Sequence, residues 1–181
     1  MNQPAMTRAA TRAAVLVPLC VIDGEDHVVF ILRSADAPVH PGDIAFPGGR
    51  YHAARDESLL ATALREAEEE IGLRAGAVEL LHALPEVRTL TSNFLVAPFV
   101  GRIPERYPFA PDPREVAAVL TIPLAQLRLP NATQLVRRHT TAGTEIDVRA
   151  FVVGAHVIWG ATYRITVELL RVLAESGFRR S

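Results

Sequence analysis

Apolar residues run almost unbroken from 13 to 21 and again from 28 to 32, with a short polar stretch between them. Continuous apolar runs of this length, bounded by turn residues, mark strands buried on both faces. The two runs predict a hairpin of 13–21 with 27–32 across a Gly24-Glu25-Asp26 turn. Residues 34–42 then read as a loop, 44–46 as a short extended piece, and Pro47-Gly48-Gly49 as a turn. From 58 to 71 the period changes. Leu60, Leu64, Ala67 and Ile71 fall on one helical face among good helix formers, and Gly72 is a natural stop. Apolar segments at 78–84, 94–100, 116–122 and 148–153 predict further strands. A second helix is expected over 162–175, with Ile165, Leu169, Val172 and Leu173 inward and Gly177 ending it. Two helices on opposite faces of a curved mixed sheet make the expected class α/β, an α/β/α sandwich.

The polar face of the first helix changes the picture. Four carboxylates, Glu66, Glu68, Glu69 and Glu70, crowd its end. With Glu66 as the origin, Glu69 lies about 60° to one side, Glu70 about 40° to the other, and Glu68 about 160° away. Glu66, Glu69 and Glu70 therefore share one face, where like charges repel unless something positive joins them. Negative charge at a helix C-terminus is also unfavourable with the helix dipole. A divalent cation is the simplest partner; an ordinary surface helix with an acidic end is the alternative. Hard oxygen ligands suit Mg²⁺ or Mn²⁺, whose usual work is on phosphate oxygens and bound water. Arg65, four residues before Glu69, can brace that carboxylate.

Length and charge bound these readings. A chain of 181 residues suffices for one domain, 13–181, after a flexible N-terminus at 1–12. A net charge of -1 provides no global electrostatic case for nucleic acid or an anionic membrane. Cys20 is the single cysteine, set in an apolar run, so an inert buried thiol is expected and no internal disulfide can form. The first residues lack a signal-peptide pattern and no apolar run suffices to span a bilayer, so the expected compartment is the cytoplasm.

Arg65-Glu66-Ala67-Glu68-Glu69-Glu70-Ile71-Gly72-Leu73 resembles the core of the Nudix hydrolase box. Glu57 falls at a further box position, eight residues before the arginine; Tyr51 stands where the general box has a glycine, and Gly48 and Gly49 come earlier. Arg33-Ser34 followed by the segment His40-Pro41-Gly42-Asp43-Ile44-Ala45-Phe46-Pro47-Gly48-Gly49 is similar to the signature of the coenzyme A pyrophosphatase branch. The segments 98–104, Glu115-Val116 and 158–165 are similar to that branch too, and the likeness covers roughly 13–176. That branch usually has glutamine where this chain has Asp43, so a donor is replaced by an acceptor, and its leucine-arginine pair between 33 and 40 is absent.

The resemblance implies a Nudix fold in which Glu66, Glu69 and Glu70 hold Mg²⁺ or Mn²⁺, with Glu57 as a further ligand or a partner behind the ligands. It implies hydrolysis of the pyrophosphate of coenzyme A or its thioesters to 4'-phosphopantetheine, or its acyl form, and 3',5'-adenosine bisphosphate. Glu69 or Glu70 would orient or deprotonate water. Glu115 is either a remote ligand or general base, or an exposed acid at a strand entry. Arg33, His40, Gly48 and Gly49 are the expected substrate contacts, and a homodimer is expected from the resemblance alone. Arg137-Arg138-His139 is either a solvated turn or a contact for the extra phosphate of coenzyme A; Trp159 either packs the sheet on the last helix or stacks an adenine. The alternatives are a Nudix enzyme acting on ADP-ribose, dinucleotides or nucleoside triphosphates, and a non-catalytic ligand sensor on the same fold.

Overall fold

A computed structural model describes residues 10–36, 41–89, 93–139 and 143–175. The first hairpin forms as expected: β1 (Thr11–Ile22) and β2 (Glu25–Arg33) are antiparallel, with Ile22 opposite Glu25. Its turn is therefore the tight pair Asp23-Gly24, and Glu25 and Asp26 already belong to β2. β3 (Ile44–Ala45) pairs with β2, and β4 (Gly48–Arg50) pairs with the first half of β1. The Pro-Gly-Gly segment is thus no simple turn: its glycines are strand residues pressed on β1. Then come α1 (Leu59–Ile71), β5 (Glu79–Ala83), β6 (Val87–Arg88), β7 (Phe94–Arg102) and β8 (Val116–Pro123). They are followed by α2 (Leu124–Leu127), β9 (Thr133–His139), β10 (Glu145–Val153), β11 (His156–Ile158) and α3 (Gly160–Glu175).

β1 is the spine. It runs antiparallel to β2 and β4 but parallel to β7, which makes the main sheet mixed. Its side chains alternate between two cores, and this explains the unbroken apolar run. Ala14, Leu16 and Cys20 face α1 and pack with Ala63, Ala67 and Ile71. Ala13, Val17 and Leu19 face the other way, toward Ile165, Leu169 and Leu173 of α3. Two helices on opposite faces give the expected sandwich. The expected single sheet is corrected: β9, β10 and β11 form a separate three-stranded sheet, whose β11 packs beside β3. Arg137-Arg138-His139 accordingly lies in β9 and not in a turn. The mostly polar sequence of β9 hid it, because it lacks the apolar run of a central strand.

Both ends of α1 are capped from the chain itself. Ser58 accepts the Ala61 N–H at 3.1 Å, and Gly72 takes the left-handed conformation at φ 68° while the Leu73 N–H reaches back to the Ala67 carbonyl. Three further carbonyls at this end are met by the segment 107–112: the Asp112 and Ala110 N–H groups donate to Glu70 and Ile71, and the Tyr107 hydroxyl to Gly72. That segment leads directly into Glu115 and β8. The predicted stop of α3 at Gly177 lies outside the described residues. No described helix is long and apolar enough to cross a membrane.

Candidate active site

The acids of α1 differ in burial, and Glu69 is exposed like Glu68. Glu70 is buried with 3 % of its side chain exposed, Glu66 is largely covered, and Glu69 is about half exposed at 49 %. Glu68 faces solvent. Glu70 turns under β4, where its Oε2 accepts the Gly48 N–H at 2.9 Å, while Oε1 lies 3.7 Å from the Arg33 guanidinium. A Cβ on Gly49 would lie 2.5 Å from the Glu66 carboxylate, and one on Gly48 would lie 2.3 Å from the Ala14 carbonyl oxygen. The two glycines therefore have distinct tasks: Gly48 lets β4 dock on β1, and Gly49 leaves room for an acid.

Arg65 fixes the other side of the cluster. It reaches Glu69 at 2.9 Å, as its spacing suggested, and Glu66 at 2.8 Å. Its principal partner is Asp56, which no sequence pattern singled out. Arg65 Nε and Nη2 form a fork on the Asp56 carboxylate at 2.7 and 3.2 Å, and the His52 N–H and Thr62 hydroxyl each donate to Asp56 at 2.9 Å. These donors, Arg65 first, hold the Asp56 carboxyl well below the usual aspartate range despite its burial. Asp56 precedes the helix cap, so no helical spacing relates it to Arg65; its only signal was an acid two residues before Ser58. Arg55 was missed for the same reason and pairs with Glu69 at 2.9 Å. Glu57 is exposed next to this strut.

Glu115 is exposed at the mouth of β8, and its charge acts on both Glu66 and Glu70. Its carbonyl accepts the Ser34 N–H at 2.8 Å, which ties it to the residue after Arg33. The structure thus brings Arg33, Glu66, Glu70, Glu115, Gly48 and Gly49 together, with Arg65 and Glu69 alongside. His40 lies outside the described residues. Trp159 stands directly before α3, and its indole N–H donates to Asp43 at 2.9 Å.

Among the described residues, no three His, Cys, Asp or Glu side chains are converged as a ready-made ligand set. Glu69 is turned to Arg55 and Arg65, and Glu70 to Gly48 and Arg33. The donor set nevertheless fits a hard divalent cation. Its candidate ligands are all carboxylate oxygens, and burial pushes the Glu70 carboxyl up to about 8, with the charges of Glu66 and Glu115 adding to the rise. The Gly48 amide and Arg33 oppose this shift and lose. Burial raises Glu66 as well. Carboxyls raised in this way are short of positive charge, and a divalent ion would reverse the balance.

Substitution should separate the glycines. Gly48→Ala forces β4 off backbone atoms of β1 and should cost about 1–3 kcal/mol in urea unfolding. Gly49→Ala meets only a side-chain end, so stability should fall by less than about 1 kcal/mol while Glu66 is displaced and turnover drops. Glu70 also makes a pH prediction for the metal-free protein. Between 4.5, the ordinary value, and about 8, the unfolded chain gives up this proton while the folded one keeps it. Stability should therefore decline as pH rises through that window. Glu70→Gln, which retains an acceptor for Gly48, should flatten that decline in urea midpoints measured across the range.

The family model for the NUDIX domain matches residues 10–142. The chain is 37 % identical over 180 residues to the "Uncharacterized Nudix hydrolase NudL" of Cronobacter sakazakii, covering 96 % of this chain and 90 % of that one. Among solved structures it is similar to the Nudix hydrolase RenU of M. smegmatis, with TM-score 0.64 and 17 % identity over 96 % of this chain and 91 % of that one. It is similar also to the NUDIX domain of Shewanella oneidensis NrtR complexed with ADP ribose, with TM-score 0.51 and 21 % identity over 71 % and 83 % of the two chains. With the box residues on α1 and the fold around them in agreement, the chain belongs to the Nudix hydrolase family, whose catalytic class is pyrophosphohydrolysis of phosphoric anhydrides.

Proposed function

We propose that this chain is a divalent-cation-dependent pyrophosphohydrolase of small molecules linked through a nucleoside diphosphate. The observation that carries this reading is the burial of Glu70 and Glu66 against the Gly48-Gly49 backbone, with Arg33 and Glu115 at the same place. Glu66, Glu69 and Glu70 would hold Mg²⁺ or Mn²⁺, with Glu57 and Glu115 as candidate further oxygens. A cation bound there neutralises charge on phosphate oxygens and acidifies a water.

The chain's own residues do the rest. Arg33 offers a fork of donors to a phosphate, which draws the anhydride toward the acids. Arg65, anchored by Asp56, keeps Glu66 and Glu69 from folding back to solvent. Glu69 is the most accessible of the three acids that share a face, and Glu115 is exposed at the start of β8; either can hold the attacking water by accepting its proton. Water adds to one phosphorus, the bridging oxygen leaves with the other phosphate, and one proton goes to the base. Two anionic products separate.

Within this class, coenzyme A and its thioesters are suggested by the resemblance of 33–49 to the coenzyme A pyrophosphatase signature. ADP-ribose, dinucleotides and nucleoside triphosphates form the wider reading, favoured by the family as a whole and by the ADP ribose bound to the similar NrtR domain. Incubation with Mg²⁺ or Mn²⁺ and coenzyme A, ADP-ribose, a dinucleotide and a nucleoside triphosphate should yield cleavage at the anhydride, abolished by EDTA. Release of 4'-phosphopantetheine and 3',5'-adenosine bisphosphate would fix the coenzyme A reading; efficient cleavage of another compound instead would reject it, and cleavage of none would reject the class. Glu69→Gln should lower kcat by about a hundredfold or more with far-UV circular dichroism unchanged. Undiminished turnover at saturating metal and substrate would remove Glu69 from the mechanism.

A further inference from the structure

A series of contacts leads from the acidic cluster to the small sheet. Arg33, facing Glu70, donates its backbone N–H to the Asp43 carbonyl at 3.0 Å and accepts the Gly42 N–H at 3.2 Å. The Asp43 carboxylate holds the Trp159 indole N–H at 2.9 Å, and the Arg138 guanidinium lies over the Trp159 ring, 5.3 Å from its centroid. β11, just before Trp159, packs beside β3, just after Asp43. The small sheet is therefore joined to the Gly42-Asp43 segment that holds the end of β2 at Arg33.

The two neighbouring arginines of β9 differ. Arg137 points toward β10, with Asp147 at 3.4 Å and Glu145 at 3.8 Å. Strand alternation turns Arg138 the other way. Among the described residues Arg138 has no carboxylate partner, and its buried Nε has no hydrogen-bond acceptor. The buried Nε is a standing cost of the fold, whereas the terminal guanidinium N–H groups, which no described carboxylate takes up, are the donors that an anion can meet. Stacking on an indole fixes the guanidinium without consuming its N–H groups. It also covers that face of the ring, so the chemistry offered here is the cation's and not base stacking.

We propose that Arg138, mounted on Trp159 and braced through Asp43, is an anion subsite that reads a phosphate monoester carried by the substrate away from the scissile anhydride. This deepens the pyrophosphohydrolase reading and rests on it for the identity of the ligand. Asp43 is then a positioning residue: its acceptor oxygen holds the indole, and its backbone holds Arg33.

Trp159 is the sole tryptophan of the chain, so its fluorescence reports the subsite without any turnover. Titration of the full chain with adenosine 3',5'-bisphosphate, adenosine 5'-monophosphate and inorganic phosphate should show the bisphosphate binding about tenfold tighter than the monophosphate, as one charge-assisted contact provides. Arg138→Gln should erase that gap. Arg138→Lys, which keeps the charge and guards against a fold defect in the glutamine variant, should retain part of it. Equal binding of the two nucleotides by the unaltered chain, or a gap that survives in Arg138→Gln, would overturn the proposal. So would inorganic phosphate binding as tightly as the bisphosphate, since the site would then take a free anion and read no substrate. An intact gap in a chain that cleaves no anhydride would leave the subsite standing and reject the pyrophosphohydrolase reading alone.

Discussion

The site depends on one unfavourable placement, a carboxyl group buried at the negative end of a helix. Glu70 is almost fully enclosed, and neither the Gly48 amide nor the Arg33 guanidinium at 3.7 Å offsets its loss of water. Isolated, such a group would be a liability to the fold. Here the same burial holds it beneath β4, beside Glu66, where a hard cation and an anhydride would be the compensating charges. The cost to the fold and the capacity to bind are two aspects of one arrangement.

The surrounding structure maintains that arrangement from three sides. β4 is pinned to β1 through glycines that no larger residue can replace without meeting a backbone or a carboxylate. Arg65 is locked on Asp56 and holds the outward acids at their roots. The segment 107–112 satisfies the last carbonyls of α1 and sets Glu115 near Glu66 and Glu70. Helix end, short strand and loop are thereby one unit, and its rigidity comes from hydrogen bonds between segments far apart in the chain.

The small sheet adds reach to that unit. Asp43 and Trp159 are separated by 116 residues yet share a hydrogen bond, and through it β9–β11 touches the loop that holds Arg33. An aspartate at position 43 suits this contact, since it must accept a hydrogen bond from an indole and has no need to donate one. The change that looked like a departure from the branch pattern has a local physical role here.

How much was legible in the residues follows from the range of the forces involved. Periodicity is local, so the hairpin, both long helices, the Gly72 stop of the first and the spacing of Glu66, Glu69 and Glu70 on it could be read directly from the residues; motif resemblance added the family. Only tertiary structure decided that Gly48 and Gly49 form a strand, that β9–β11 is a sheet of its own, that Asp56 is the anchor of Arg65, and that Glu115 meets the helical acids. Each of these depends on which distant segments come into contact and on how much water they exclude, and neither quantity is written in the spacing of residues along a chain.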